Sequence, residues 1–122
     1  MNRAIQEHVV PVLRDMGFRG SLPHFRRQCR DRVDLLTFQF NKYGGSFVVE
    51  LAQCGSEGHT THWGKVVPAN KVTAHDINLG RQRLTPPQDD WFRFDDGHTP
   101  EEAISELLPL LQTSAESFWG AG

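Results

Sequence analysis

Leu35-Leu36-Thr37-Phe38-Gln39-Phe40-Asn41-Lys42-Tyr43-Gly44-Gly45-Ser46-Phe47-Val48-Val49-Glu50-Leu51-Ala52-Gln53-Cys54 is the stretch whose reading decides the fold. Its apolar residues alternate. Leu36, Phe38 and Phe40 fall on one face of a first strand, with Thr37 and Gln39 on the other. Phe47, Val49 and Leu51 alternate with Val48, Glu50 and Ala52 along a second. A period of two marks strands with one apolar face. Asn41-Lys42-Tyr43-Gly44-Gly45 lies between them. Asn and Gly accept the positive φ that many hairpin turns need, so the stretch is predicted to be a β-hairpin.

Upstream, Phe18 to Cys29 is weakly patterned as one strand, with Leu22, His24 and Arg26 set against Pro23, Phe25 and Arg27. Pro23 suits an edge strand or a strand beginning. Arg30-Asp31-Arg32 then makes a short polar turn into the hairpin, so the first three strands are predicted to form an antiparallel meander. Before them, Ile5, Val9, Val12, Leu13 and Met16 recur mostly three and four residues apart, as on an amphipathic helix. Pro11 removes a backbone donor inside it and predicts a kink or a late start, and Gly17 reads as its stop.

Downstream, Gly55 to Asn70 has the glycines and small polar residues of a long connection, of the kind that is more often functional than idle. Short strands are expected around Val66, Val67 and Val72, on either side of Pro68, and within Ile77 to Leu84. Thr85-Pro86-Pro87-Gln88-Asp89-Asp90 reads as a second loop, and Trp91, Phe92 and Phe94 as an aromatic cluster of the core. A last helix is clearly marked. Thr99 is its N-cap, Pro100 its first residue, and Glu102 completes a capping box. Ile104, Leu107, Leu108, Leu111, Ala115, Phe118 and Trp119 form its apolar stripe, with a kink or break expected at Pro109 near Leu108. These elements predict an α+β fold: an antiparallel meander sheet of roughly four to six strands, packed against an N-terminal and a C-terminal helix.

The 122 residues are expected to form a single domain, 1–122, with one core. No apolar run approaches the roughly 18 residues of a membrane span. The N-terminus shows no apolar signal region after Arg3, so the expected location is the cytoplasm, with Cys29 and Cys54 reduced. A net charge of −2 argues against a dedicated nucleic-acid binder. Charge is nevertheless uneven. Arg26, Arg27, Arg30 and Arg32 cluster before the hairpin, and Asp89, Asp90, Asp95, Asp96, Glu101, Glu102 and Glu106 cluster late.

Three constellations carry chemistry. Cys54, His59, His62 and His75 are side chains that ligate zinc, although their spacing matches neither a zinc finger nor a helical His-Glu-x-x-His site. His75 and Asp76 are an acid-base pair in composition, but as neighbours on an extended segment they point to opposite faces. Arg26, Arg27, Arg30 and Arg32 suit a carboxylate or phosphate through their planar forks. Gly44-Gly45 is not a phosphate loop, since it joins two strands rather than a strand to a helix. Trp63, Trp91 and Trp119 are read as core or core-edge residues, Trp63 being the exception to watch beside His62.

Several motifs together resemble domain-of-unknown-function family 4304. They are Met16-Gly17-Phe18 at the end of a helix, His24-Phe25-Arg26-Arg27, Leu36-Thr37-Phe38-Gln39-Phe40, Tyr43-Gly44-Gly45-Ser46-Phe47, and Asp90-Trp91-Phe92 before the last helix. The resemblance covers nearly the whole chain. It implies an α+β fold with an antiparallel sheet against helices, and a family basic position at Arg81 or Arg83, but no activity. The functional expectation is a small cytosolic binding or interaction domain without catalysis and without a cofactor, its acidic surface serving a basic protein partner in a salt-sensitive complex. A metal-assisted hydrolase using Cys54, His59, His62 and His75, with zinc, is the alternative. A homodimer through a sheet edge or the Phe118-Trp119 end is a third reading.

Overall fold

In the computed structural model, residues 2–61, 63–77, 80–86, 90–95 and 97–121 are described, Ala121 by its backbone alone. The hairpin forms as its alternation predicts. Strand β3 (Arg32–Phe40) and strand β4 (Ser46–Gly55) pair antiparallel, with Leu36 opposite Leu51, Phe38 opposite Val49 and Phe40 opposite Phe47. Gly44 and Gly45 take φ of 84° and 80° in the turn, and the Tyr43 N–H donates to the Asn41 side chain. Leu36, Phe38, Phe47, Val49 and Leu51 are buried in the main core. Each phenylalanine so buried contributes on the order of 2 kcal/mol.

The sheet is wholly antiparallel. Strands β1 (Arg19–Ser21) and β2 (His24–Gln28) precede β3, so the order begins β1-β2-β3-β4. Strands β7 (Gln82–Leu84) and β8 (Phe92–Arg93) share the outer edge of β4, at Val49–Leu51 and at Ser46–Phe47 respectively. The single strand expected over Phe18 to Cys29 is instead this β1–β2 hairpin, reversing at the cis Leu22–Pro23 peptide. Gly20 makes the close pairing feasible. Its φ is 119°, and a Cβ there would meet the His24 carbonyl oxygen at 2.6 Å.

The N-terminal helix is interrupted as Pro11 dictates, into α1 (Asn2–His8) and α2 (Val10–Asp15), with Val9 between them. It ends in a Schellman motif. The Phe18 N–H bonds the Leu13 carbonyl, the Gly17 N–H bonds the Arg14 carbonyl, and Gly17 takes φ of 99°. Arg14 ties the helix to β1 by donating to the carbonyls of Phe18 and Gly20.

Helix α3 (Pro100–Leu110) starts at the Thr99 cap, whose hydroxyl accepts from the Glu102 N–H. The Glu102 carboxylate faces His98 at 3.3 Å. Pro109 does not break the helix. The chain runs through it into a π-helical turn, Leu111–Ala115, and on into α4 (Glu116–Ala121). Leu111, Ala115 and Trp119 are four residues apart and fully buried. Each four-residue step overshoots the about 3.6-residue turn of an α-helix, and the wider π turn takes up the overshoot. Trp119 thereby reaches the sheet. Its indole N–H donates to the Ala52 carbonyl, and Gln53 donates to the Trp119 carbonyl.

The alternation marks one apolar face of the hairpin. The opposite face is also partly apolar, and residues 67–77 cover that part. Val67, Val72, Ala74 and Ile77 pack on Val33, Leu35 and Ala52 as a second, smaller core. Within the long connection, β5 (His59–Thr60) pairs with β6 (Val66–Val67), while Val72 lies outside any strand and a 3-10 turn forms at Ala74–Asp76. Of the strand expected within Ile77 to Leu84, only β7 forms; residues 78 and 79 fall outside the described residues.

Candidate functional site

The face that carries the second core also gathers most of the sheet's polar side chains, and strand register explains how. Ser21 lies opposite His24, His24 opposite Thr37, Thr37 opposite Glu50 and Glu50 opposite Arg83. One polar row therefore crosses five strands. Thr37 and Glu50 are buried. The row is paired internally: His24 Nδ1 lies 2.9 Å from the Thr37 hydroxyl, and Arg83 donates to Glu50 at 3.2 and 3.3 Å. Arg83 also lies over the Trp91 ring at 5.8 Å.

His75, in the 3-10 turn, meets the His24 ring edge to face at 5.7 Å. Burial, with His75 and Arg26 adding to it, pushes the His24 pKa below the ordinary histidine value, against an opposing pull from Asp76. His24 is accordingly a neutral imidazole near pH 7, one nitrogen of which faces a hydroxyl. Cys54 stands at the end of β4 against the second core. Burial and the nearby Asp76 push its thiol up, which leaves it protonated and a weak nucleophile at neutral pH.

Beside the polar row runs a basic one. Arg19 lies opposite Arg26, and Arg26 opposite Leu35. Gly17, Arg19, Arg26, Gln28 and Asn70 line a cavity of about 340 Å³ at this corner. Arg26 is anchored across it by a 3.1 Å bond from Nε to the Val72 carbonyl.

The four arginines read as an anion site are not brought together. Arg26 is on this face. Arg27 is on the other, where it donates to Asp34 through Nε and Nη2 and to Glu116 through both Nη atoms. Its guanidinium lies against Phe18 at 4.8 Å and Trp119 at 5.2 Å. Burial works against that charge, but the hydrogen bonds to Glu116 and Asp34 outweigh it and raise the Arg27 pKa. Arg32 donates to the second oxygen of Asp34 at 2.9 Å, which raises its pKa too. Arg30 is exposed at the turn. Of the zinc ligands considered, Cys54 is on β4, His59 on β5 and His75 against His24; His62 lies outside the described residues. Among the described residues no three His, Cys, Asp or Glu side chains are placed to hold a metal ion.

Arg19 is the site residue that sequence reasoning missed. It stands outside the arginine cluster, and only the β1–β2 register sets it against Arg26. Arg83, singled out only through the resemblance, emerges as the end of the polar row. Trp119 is core, Trp91 half-buried and Trp63 exposed. No helix among the described residues is long and apolar enough to cross a membrane.

Neither the curated proteins nor the solved structures contain a match to this chain. Residues 9–121 match the family described as Domain of unknown function (DUF4304), a span that includes the whole sheet, the C-terminal helix and every residue of the polar and basic rows, with α1 and its core residue Ile5 lying before it. With nearly its whole length inside that match, the chain belongs to the DUF4304 family.

Proposed function

We propose that the chain is a small cytosolic binding domain without catalysis, and that it binds through the second face of its sheet. One observation carries this reading. The groups of the polar row are engaged with one another, as His24 is with Thr37 and Glu50 with Arg83, whereas the adjoining cavity is lined by the two facing arginines Arg19 and Arg26. A general base needs a free lone pair within reach of a substrate proton, and a nucleophile needs a nearby base. Cys54, held as a thiol by burial, has no such activation. The two free cysteines, Cys29 and Cys54, suit a reducing compartment.

Chromogenic ester, phosphate and glycoside substrates test the non-catalytic part, with His24→Gln and Glu50→Gln as companions. Equal, background turnover in all three proteins is expected. Turnover by the wild type that either substitution abolishes would make the polar row an active site.

A further inference from the structure

Arg19 and Arg26 stand directly opposite each other across β1 and β2, both on the second face. Like charges placed so repel, and the pair works against the fold. Among the described residues neither guanidinium takes part in an ion pair, and the cavity lining contributes only amides and backbone besides. Arg26 is held in place by its Nε bond to the Val72 carbonyl, which leaves its two Nη groups to point elsewhere. Gln28 and Asn70 bring further amide donors to the same cavity.

We propose that this cavity binds a phosphate monoester carried on a small organic molecule. The inference rests on the binding-domain reading and names its ligand class. Two guanidinium forks match the charge of a phosphomonoester, about −1.5 to −2 near neutral pH, and its three terminal oxygens accept from both forks and the amides. A carboxylate brings one charge and two oxygens, and leaves donors unmet. The volume of about 340 Å³ falls at the small end of the range for small-molecule pockets, so it leaves room for an organic group beside the phosphate. The lining side chains lie on the face of the sheet and not along the β1 edge, where an added peptide strand would pair.

Calorimetric titration of the full chain with phenyl phosphate, phenyl sulfate and benzoate tests the site, with phenol release followed in parallel. Phenyl phosphate is expected to bind saturably at one site, more tightly than the other two and more weakly as salt rises. Arg19→Gln and Arg26→Gln each weaken it about tenfold or more, and Arg26→Lys, which keeps the charge without the fork, falls between. Arg19 is exposed, so its replacement tests the site without disturbing the core. Benzoate binding as tightly as phenyl phosphate would overturn the phosphate assignment. A phosphoserine peptide binding more tightly than phenyl phosphate would overturn the small-molecule assignment. Absence of saturation, or binding indifferent to both arginines, would overturn the site itself and leave the binding-domain reading standing. Phenol released on binding would do the reverse: the site would stand and the non-catalytic reading would fall.

Discussion

Asp34 has no exposed surface, yet it is charged, and it faces the main core in step with Leu36 and Phe38. Two arginines reach its two oxygens, Arg27 at 2.8 and 3.0 Å and Arg32 at 2.9 Å, and the Cys29 thiol lies 3.6 Å away. The anion that Arg27 and Arg32 were suited to bind is thus internal. The sequence carries a signal for this, because Asp34 shares the parity of the hairpin's apolar face. Asp34→Ala strands Arg27 in a partly buried setting and is expected to cost about 3–5 kcal/mol in urea unfolding. A loss under about 1 kcal/mol would mean that Glu116 alone satisfies Arg27. His24 gives a pH dependence on the same scale. Its folded pKa is depressed below the ordinary 6.5, so the unfolded chain takes up the proton first as the pH falls. Its contribution to stability is intact above about pH 6.5 and declines below that value, toward the folded pKa. His24→Asn should flatten that limb of the stability curve relative to wild type, and parallel curves would remove the assignment.

Among the elements, β3, β4 and α3 were legible because period and caps agree in each: alternating apolar residues around Gly44-Gly45, and an apolar stripe behind Thr99-Pro100. The β1–β2 hairpin was not, because its strands have three and five residues, too few to show a period, and its turn lacks the Asn-Gly signal. The π turn was equally hidden, since Pro109 announces a disturbance without saying which kind. Its role follows from arithmetic. Eight residues separate Leu111 from Trp119, about 80° beyond two full turns at about 100° per residue, whereas seven would leave the two nearly aligned. The extra residue in the π turn restores alignment. Deleting the exposed Thr113 should therefore leave an unbroken α-helix with Trp119 still seated, within about 1 kcal/mol of wild type. Inserting an alanine after Thr113 should swing the indole away from Ala52 and Arg27 and cost about 3–5 kcal/mol, the cost of emptying a buried Trp site. Fluorescence of the Trp119 environment and urea midpoints decide between these outcomes; similar losses from both changes would refute the alignment argument.

At the scale of the whole molecule, one sheet separates two cores of unequal size. The larger holds both terminal helices and the six buried aromatic side chains Phe18, Phe25, Phe38, Phe47, Phe92 and Trp119. The smaller joins Val33, Leu35 and Ala52 to four residues of the covering segment, none of which is aromatic. The alternation of β3 showed one apolar face, and a chain-distant cover built from Val67, Val72, Ala74 and Ile77 has no period by which to read it. Cooperative units differ in opening free energy with the apolar surface they bury. Amides of β3 and β4 should thus exchange only through global unfolding, while those of Val72 and Ile77, bonded to the Pro68 and Ala74 carbonyls, should exchange through a cheaper local opening. Val72→Ala should speed exchange at those two amides well beyond its effect on β3. Because Arg26 is anchored on the Val72 carbonyl and Asn70 lies in the same segment, this opening also dismantles the basic cavity. A ligand that needs the closed form stabilises it by mass action. Saturating phenyl phosphate should therefore slow exchange at Val72, at Ile77 and in β3 by the same factor, because the local and the global opening both dismantle the cavity. Equal protection at Val72 and in β3 without ligand would show that the segment and the sheet open as one unit, and the two cores would then count as one.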